Sequence, residues 1–272
     1  MSAQRLVGLS AVLPALAIAF VVRYRRALEP IPQRRAWAWR RLWAGFPPPQ
    51  SPLAALVWKH GREMVPVGLP VFGVAVMLSL LAAATAATSP RNDPFEVAGA
   101  TLILFAATAG IVLSVLLGVG TFLDDLRPGI NTFWRSRPIS PHAWFWTKFV
   151  VGLGVLLAGA AGLPGLALRV VTGPSEASFA ALCLPVALGL YALTALTTTL
   201  VRHTLYAGAL AAGVAAIVHA AAEVTAGSGF EGGPLTAPPA AFAAAFLATF
   251  CAATVFAWQA AARDWSVPQG RG

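Results

Sequence analysis

Long apolar runs separated by short clusters of charge organise this chain. Seven runs, 6–22, 65–87, 97–119, 149–171, 179–200, 205–222 and 240–262, approach or reach membrane-spanning length. A helix needs roughly 20 apolar residues to cross a hydrocarbon core about 30 Å thick. Backbone N–H and C=O groups in hydrocarbon find partners only within their own segment, so each run is expected to be a helix. Pro14, Pro66, Pro70, Pro164 and Pro185 fall within or beside these runs, and those deep in a run are expected to kink it. The pattern therefore predicts an all-α integral membrane protein with seven spanning helices.

Composition supports that reading. Of 272 residues, 58% are hydrophobic and 11% charged, against roughly 25% charged in a soluble domain. A soluble fold of this length lacks the polar residues to cover its surface. The net charge of +9 would fit nucleic-acid binding if the charges formed a patch or stripe. They lie instead between apolar runs, and no nucleic-acid partner is expected. Cys183 and Cys251 both sit inside apolar runs, with no CxxC or Cys/His grouping that suggests zinc or a disulfide framework.

Charge position also orients the chain. If the segment between the first two runs is cytoplasmic, that side holds 16 of the 19 basic residues, and only Arg5, Arg91 and Arg169 lie outside. The positive-inside rule then places the N-terminus outside and the C-terminus inside. The run 6–22 ends in Val-Val-Arg-Tyr-Arg-Arg without a small-residue cleavage site, so it reads as a retained membrane helix rather than a cleaved signal.

Between the first two runs, 23–50 is basic and carries Trp37, Trp39 and Trp43, a composition suited to the headgroup layer and its anionic lipids. Pro47, Pro48 and Pro49 break any helix there. Ser51-Pro52 then starts one, Ser as N-cap and Pro at the first helical position. Leu53, Leu56, Val57 and His60 share one face, and Lys59, Arg62 and Glu63 supply polarity. The expectation is a short amphipathic helix on the cytoplasmic surface. The domain reading is a first helix (1–22), a basic cytoplasmic segment (23–64), a six-helix domain (65–262) and a cytoplasmic tail (263–272).

No catalytic apparatus is legible. The two lysines, Lys59 and Lys148, follow Trp58 and Thr147, so neither belongs to a phosphate-binding Gly-Lys-Ser/Thr loop. HExxH and GxSxG are also absent from the sequence. The longest connection after the amphipathic helix is richer. Across 122–148, Asp124, Asp125, Arg127, Arg135 and Arg137 alternate with Phe133, Trp134 and Ile139, and Ser140-Pro141 opens the next helix. Two readings stand side by side: a solvated loop whose aromatics rest on the interface, or a docking surface with apolar anchors rimmed by charge.

These residues resemble type-two ABC exporter permeases. Those subunits show an acidic residue, a Gly-Thr-Leu-like stretch, Leu-Pro-Ile/Val-Ser and a Lys opening the third helix. The matching positions here are Asp124 and Asp125, Gly129 to Asn131, Arg137-Pro138-Ile139-Ser140, and Lys148. Leu56 to Glu63 resembles the family's elbow helix. The resemblance covers 51–262, and it departs from the family at Arg127-Pro128, where Glu-Arg/Lys is usual. It implies a six-helix permease bundle with an elbow helix, here preceded by one additional spanning helix. It also implies a second permease unit, identical or paralogous, and a separate ATP-binding subunit carrying ATP and magnesium.

On this reading the coupling interface comprises Asp124, Asp125, Arg127, Phe133, Trp134, Arg135, Arg137, Pro138 and Ser140. The chain itself would bind no cofactor or metal, would not be an enzyme, and would reside among the lipids of the bacterial inner (plasma) membrane. The rival reading is a secondary transporter or a non-transporting membrane scaffold. A secondary transporter is expected to show internal repeats or charged midplane residues, and neither is clear here.

Polar residues inside the membrane are candidate functional sites. His219 and Glu223 stand four apart on one helix face, either as a proton or metal site or as an interfacial pair. Tyr191, Thr194, Thr197, Thr198 and Thr199 read as helix-packing residues.

Overall fold

A computed structural model describes residues 51–88, 93–123, 125–126, 140–167, 174–225 and 239–264. The chain divides into two compact units, Met1–Pro48 and Pro49–Gly272, and the described residues all belong to the second. The run 6–22, the Trp-rich segment 23–50 and the end of the tail lie outside them.

Among the described residues every regular element is a helix. In chain order they are α1 (Pro52–Ala86), α2 (Pro94–Leu123), α3 (Pro141–Ala160), α4 (Gly162–Ala167), α5 (Pro174–Val201), α6 (Thr204–Thr225) and α7 (Pro239–Arg263). Five stretches are long and apolar enough to cross a membrane: Pro52–Ala86, Pro94–Leu123, Pro141–Gly165, Leu182–Val201 and Ala240–Arg263. By length and composition the chain is thus a multi-pass helical membrane protein. The run 205–222 is helical as well, within α6, although its described apolar stretch, Tyr206–Ala221, is shorter than the other five.

Two runs differ from expectation. The elbow is not a separate helix, because α1 continues through 35 residues from the Ser51 cap, whose hydroxyl accepts from the Ala54 N–H. At 1.5 Å per residue that is roughly 52 Å, far more than a bilayer core. The N-terminal part of α1 is therefore continuous with the spanning helix rather than a separate element. Pro66 and Pro70 sit inside α1 without ending it. The run 149–171 does break. α3 stops at Ala160 and α4 restarts at Gly162. Pro164 supplies the reason, since a proline ring clashes with the carbonyl four residues back, here that of Ala160.

The helices pack around α5, which lies against α2 and α7 most extensively, while α1 packs on α2 and α3. Burial follows this arrangement: 67% of the α5 spanning window is enclosed, against 17% for α1 and 22% for α7. Leu113, Leu117 and Phe122 of α2, Phe145 and Phe149 of α3, and Tyr191 of α5 form the core. Glycines let the backbones approach. A Cβ at Gly118 would lie 2.7 Å from Thr194 Cβ and 2.9 Å from the Tyr191 carbonyl. The Thr194 and Thr198 hydroxyls donate to carbonyls one turn back on α5, and Thr197 also reaches the Ala207 carbonyl of α6. The Tyr191 hydroxyl donates to the Phe149 carbonyl at 2.9 Å. Hydroxyls in this setting need internal acceptors, and the helices provide them.

Candidate functional site

α2 ends at Leu123, and the Leu126 N–H closes the turn on the Phe122 carbonyl at 3.1 Å. That turn presents Asp125. On the far side of the connection, Ser140 caps α3 by accepting from the Ala143 N–H at 3.1 Å, with Pro141 at the first helical position. Lys148 lies two turns into α3, only 3% exposed.

These elements converge on one ion pair. The Lys148 ammonium is 2.8 Å from Asp125 Oδ2 and also donates to the Thr121 carbonyl of α2 at 2.8 Å. The Trp144 indole N–H donates to the same Asp125 oxygen at 3.0 Å, and the Lys148 nitrogen stands 5.4 Å from the Trp144 ring centre. Phe122 stacks on Phe145 at 5.1 Å and meets Trp144 edge-on at 5.7 Å. Burial alone would raise the Asp125 pKa. The Lys148 charge, together with the hydrogen bonds from Lys148 and Trp144, outweighs it and holds the carboxyl below its ordinary range.

α1 completes the cluster. His60 is 1% exposed, and its Nδ1 lies 3.1 Å from Glu63, which also pairs with Lys59 at 3.8 Å. Met64 places its sulfur 3.8 Å from the Thr121 hydroxyl. A charge buried in a spanning segment needs a partner and satisfied hydrogen bonds, and Lys148 has both.

Two further polar ties between elements stand at the same end of the bundle. The Trp258 indole of α7 donates to His142 Nδ1 of α3 at 2.7 Å. Arg202, left-handed at φ 53° between α5 and α6, pairs with Asp264 just beyond α7. All ion pairs among the described residues therefore lie where α1, α3 and α6 begin and α2, α5 and α7 end. Such an arrangement can fix helix ends and carry force between them. Among the described residues no three His, Cys, Asp or Glu side chains gather to hold a metal.

Of the residues singled out in the connection, Asp125 and Ser140 stand at its two ends. Asp124, Arg127, Phe133, Trp134, Arg135, Arg137 and Pro138 lie outside the described residues. His219 is on α6, half-buried, its ring 5.2 Å edge-on from Phe242 of α7 and its Nδ1 buried without a hydrogen-bond partner. Glu223 is on the same helix, and its side chain lies outside the described set, as does any pairing of the two. Sequence reasoning placed Lys148 only as a family position and His60 only on a helix face. The signal that would have found the pair was available: a lone lysine in an apolar helix and an acid at the end of the preceding one.

No protein-family model matches the chain, and no curated protein matches it.

Proposed function

We propose that this chain is the transmembrane subunit of an ATP-driven exporter of the type-two ABC permease class. In this reading the connection between α2 and α3 receives a separate ATP-binding subunit. One observation carries the proposal: Asp125, at the start of that connection, is bonded directly to Lys148 and Trp144 of the helix that follows it. A push on the connection thereby reaches α2 and α3 together, and through Thr121 and Met64 it reaches α1. In this reading a separate polypeptide hydrolyses ATP, in keeping with the lack of a Gly-Lys-Ser/Thr sequence in these 272 residues. A six-helix unit, a second such unit to complete the pathway, and an outside N-terminus belong to the same proposal.

The test is isolation of the chain from its native membrane under mild detergent. The proposal expects a co-purifying polypeptide with a phosphate-binding loop, ATPase activity in the complex, and none in the chain alone. Robust ATP hydrolysis by the chain alone, or a native complex without any such subunit, contradicts it.

A further inference from the structure

Between α1 and α3, toward the membrane interior from the Lys148 cluster, lies a groove of about 270 Å³. Val65, Leu69 and Phe72 of α1, Val155 and Ala158 of α3, and Leu163 of α4 line it. Phe72 forms its floor by lying over Gly159, where an added Cβ would collide with the ring. Leu69, at 56% exposed, forms its outer lip. The lining is apolar throughout, so whatever occupies it offers hydrocarbon.

The helix below the groove adds a charge. Arg62 precedes Val65 by three residues and Leu69 by seven, spacings that keep the three on adjoining parts of one helix face. Arg62 therefore sits roughly 10 Å beneath the outer lip, on the side where the ion pairs cluster. Its guanidinium carbon lies 5.2 Å from the Trp58 ring centre, and it has no carboxylate partner among the described residues. Neighbouring Glu63 is engaged by Lys59 and His60. A guanidinium suits phosphate because its planar donors match two oxygens at once. We propose that this groove binds one acyl chain of an anionic phospholipid whose headgroup phosphate rests on Arg62.

Apolar burial gives little selectivity inside a bilayer, where lipid tails are as apolar as the groove. Discrimination between lipids must then come from the headgroup, and chain retention from the fit of the groove. These two contributions separate experimentally.

The measurement is native mass spectrometry of the purified chain, without any partner subunit, after exchange into detergent containing equal phosphatidylglycerol and phosphatidylcholine. The wild-type chain should retain phosphatidylglycerol preferentially. Arg62→Gln should cut that preference about fivefold, the factor expected for one basic residue at a lipid surface. Lys59→Gln removes the same formal charge and should leave the preference intact. Ala158→Phe, which fills the groove, should reduce retention of both lipids; if it fails to fold, the Arg62 and Lys59 pair still decides. Equal retention of the two lipids by wild type, or equal loss in Arg62→Gln and Lys59→Gln, overturns the proposal. Efficient disulfide crosslinking of Leu69→Cys between two copies also overturns it, by showing the groove covered by a second chain. Because no ATPase is present, none of these results depends on the exporter reading.

Discussion

The ammonium of Lys148 lies 2.8 Å from the carboxylate of Asp125, the two joining α3 to the turn that ends α2. The Thr121 carbonyl and the Trp144 indole hold the pair from either side. With Lys148 3% and Asp125 17% exposed, neither charge has enough water to stand alone. Removing one partner of such a pair costs about 3–5 kcal/mol, because the survivor loses the opposite charge that offsets its burial. Lys148→Met and Asp125→Asn are each expected to lower stability in detergent sharply. The double variant should lose less than the two single losses combined. Additive losses in denaturant or thermal melts would show that the two groups act independently.

The pH dependence has a definite sign. Asp125 has a pKa below its ordinary value of 3.8 in the folded chain. Its contribution is then complete above the unfolded value and is lost as pH falls through the folded one. The stability gap between wild type and Asp125→Asn should stay constant from pH 8 to about 5 and narrow only below about 3.8. Melting temperatures of both proteins across that range check it, and narrowing already near pH 6 would contradict the assignment.

Close helix approach gives a paired test within α2. A methyl group at Gly118 would meet Thr194 and the Tyr191 carbonyl, whereas one at Gly120 would meet nothing within 4 Å. Gly118→Ala is expected to destabilise by about 1–3 kcal/mol through overpacking. Gly120→Ala should be neutral or stabilising by roughly 0.5–1 kcal/mol, because glycine is costly inside a helix. Unfolding of the two variants in the same detergent compares them directly.

Much of the fold was legible because hydrocarbon leaves the backbone few options. The runs 97–119 and 240–262 fall within α2 and α7, and the run 65–87 falls within α1 except for its last residue, the cap Ala87. The Ser51-Pro52 and Ser140-Pro141 starts stand where capping chemistry puts them. The elbow was misjudged because surface amphipathicity and helix continuity are separate properties. Nothing between Leu53 and Val65 breaks a helix, and Pro66 interrupts hydrogen bonds without ending α1. Pro164 was legible as a kink within the run 149–171, but the break at Ala160 was not, since a proline acts on a carbonyl four residues upstream. At the site, Asp125 and Lys148 were both visible as letters. Their pairing was not, because it depends on the turn after α2 bringing an acid back over α3.

Topology offers a further check. With 16 of 19 basic residues assigned to one side, reporter fusions after Gly61, Asn92, Asn131 and Gly232 should report inside, outside, inside and outside. An outside signal at Asn131 would place the connection between α2 and α3 away from any cytoplasmic ATPase.

The most direct test of the exporter reading is quantitative co-purification of the ATP-binding subunit with variants of that connection. Phe133→Ala and Trp134→Ala remove its aromatic anchors. A buried anchor of this kind contributes about 2 kcal/mol or more, so each variant should weaken association about thirtyfold. Arg137→Glu should weaken it in a salt-dependent way. Arg34→Glu, on the segment assigned to lipid headgroups, should leave it unchanged. If the three connection variants, correctly inserted, bind the subunit like wild type while Arg34→Glu alone fails, the docking surface lies elsewhere and the central claim is contradicted.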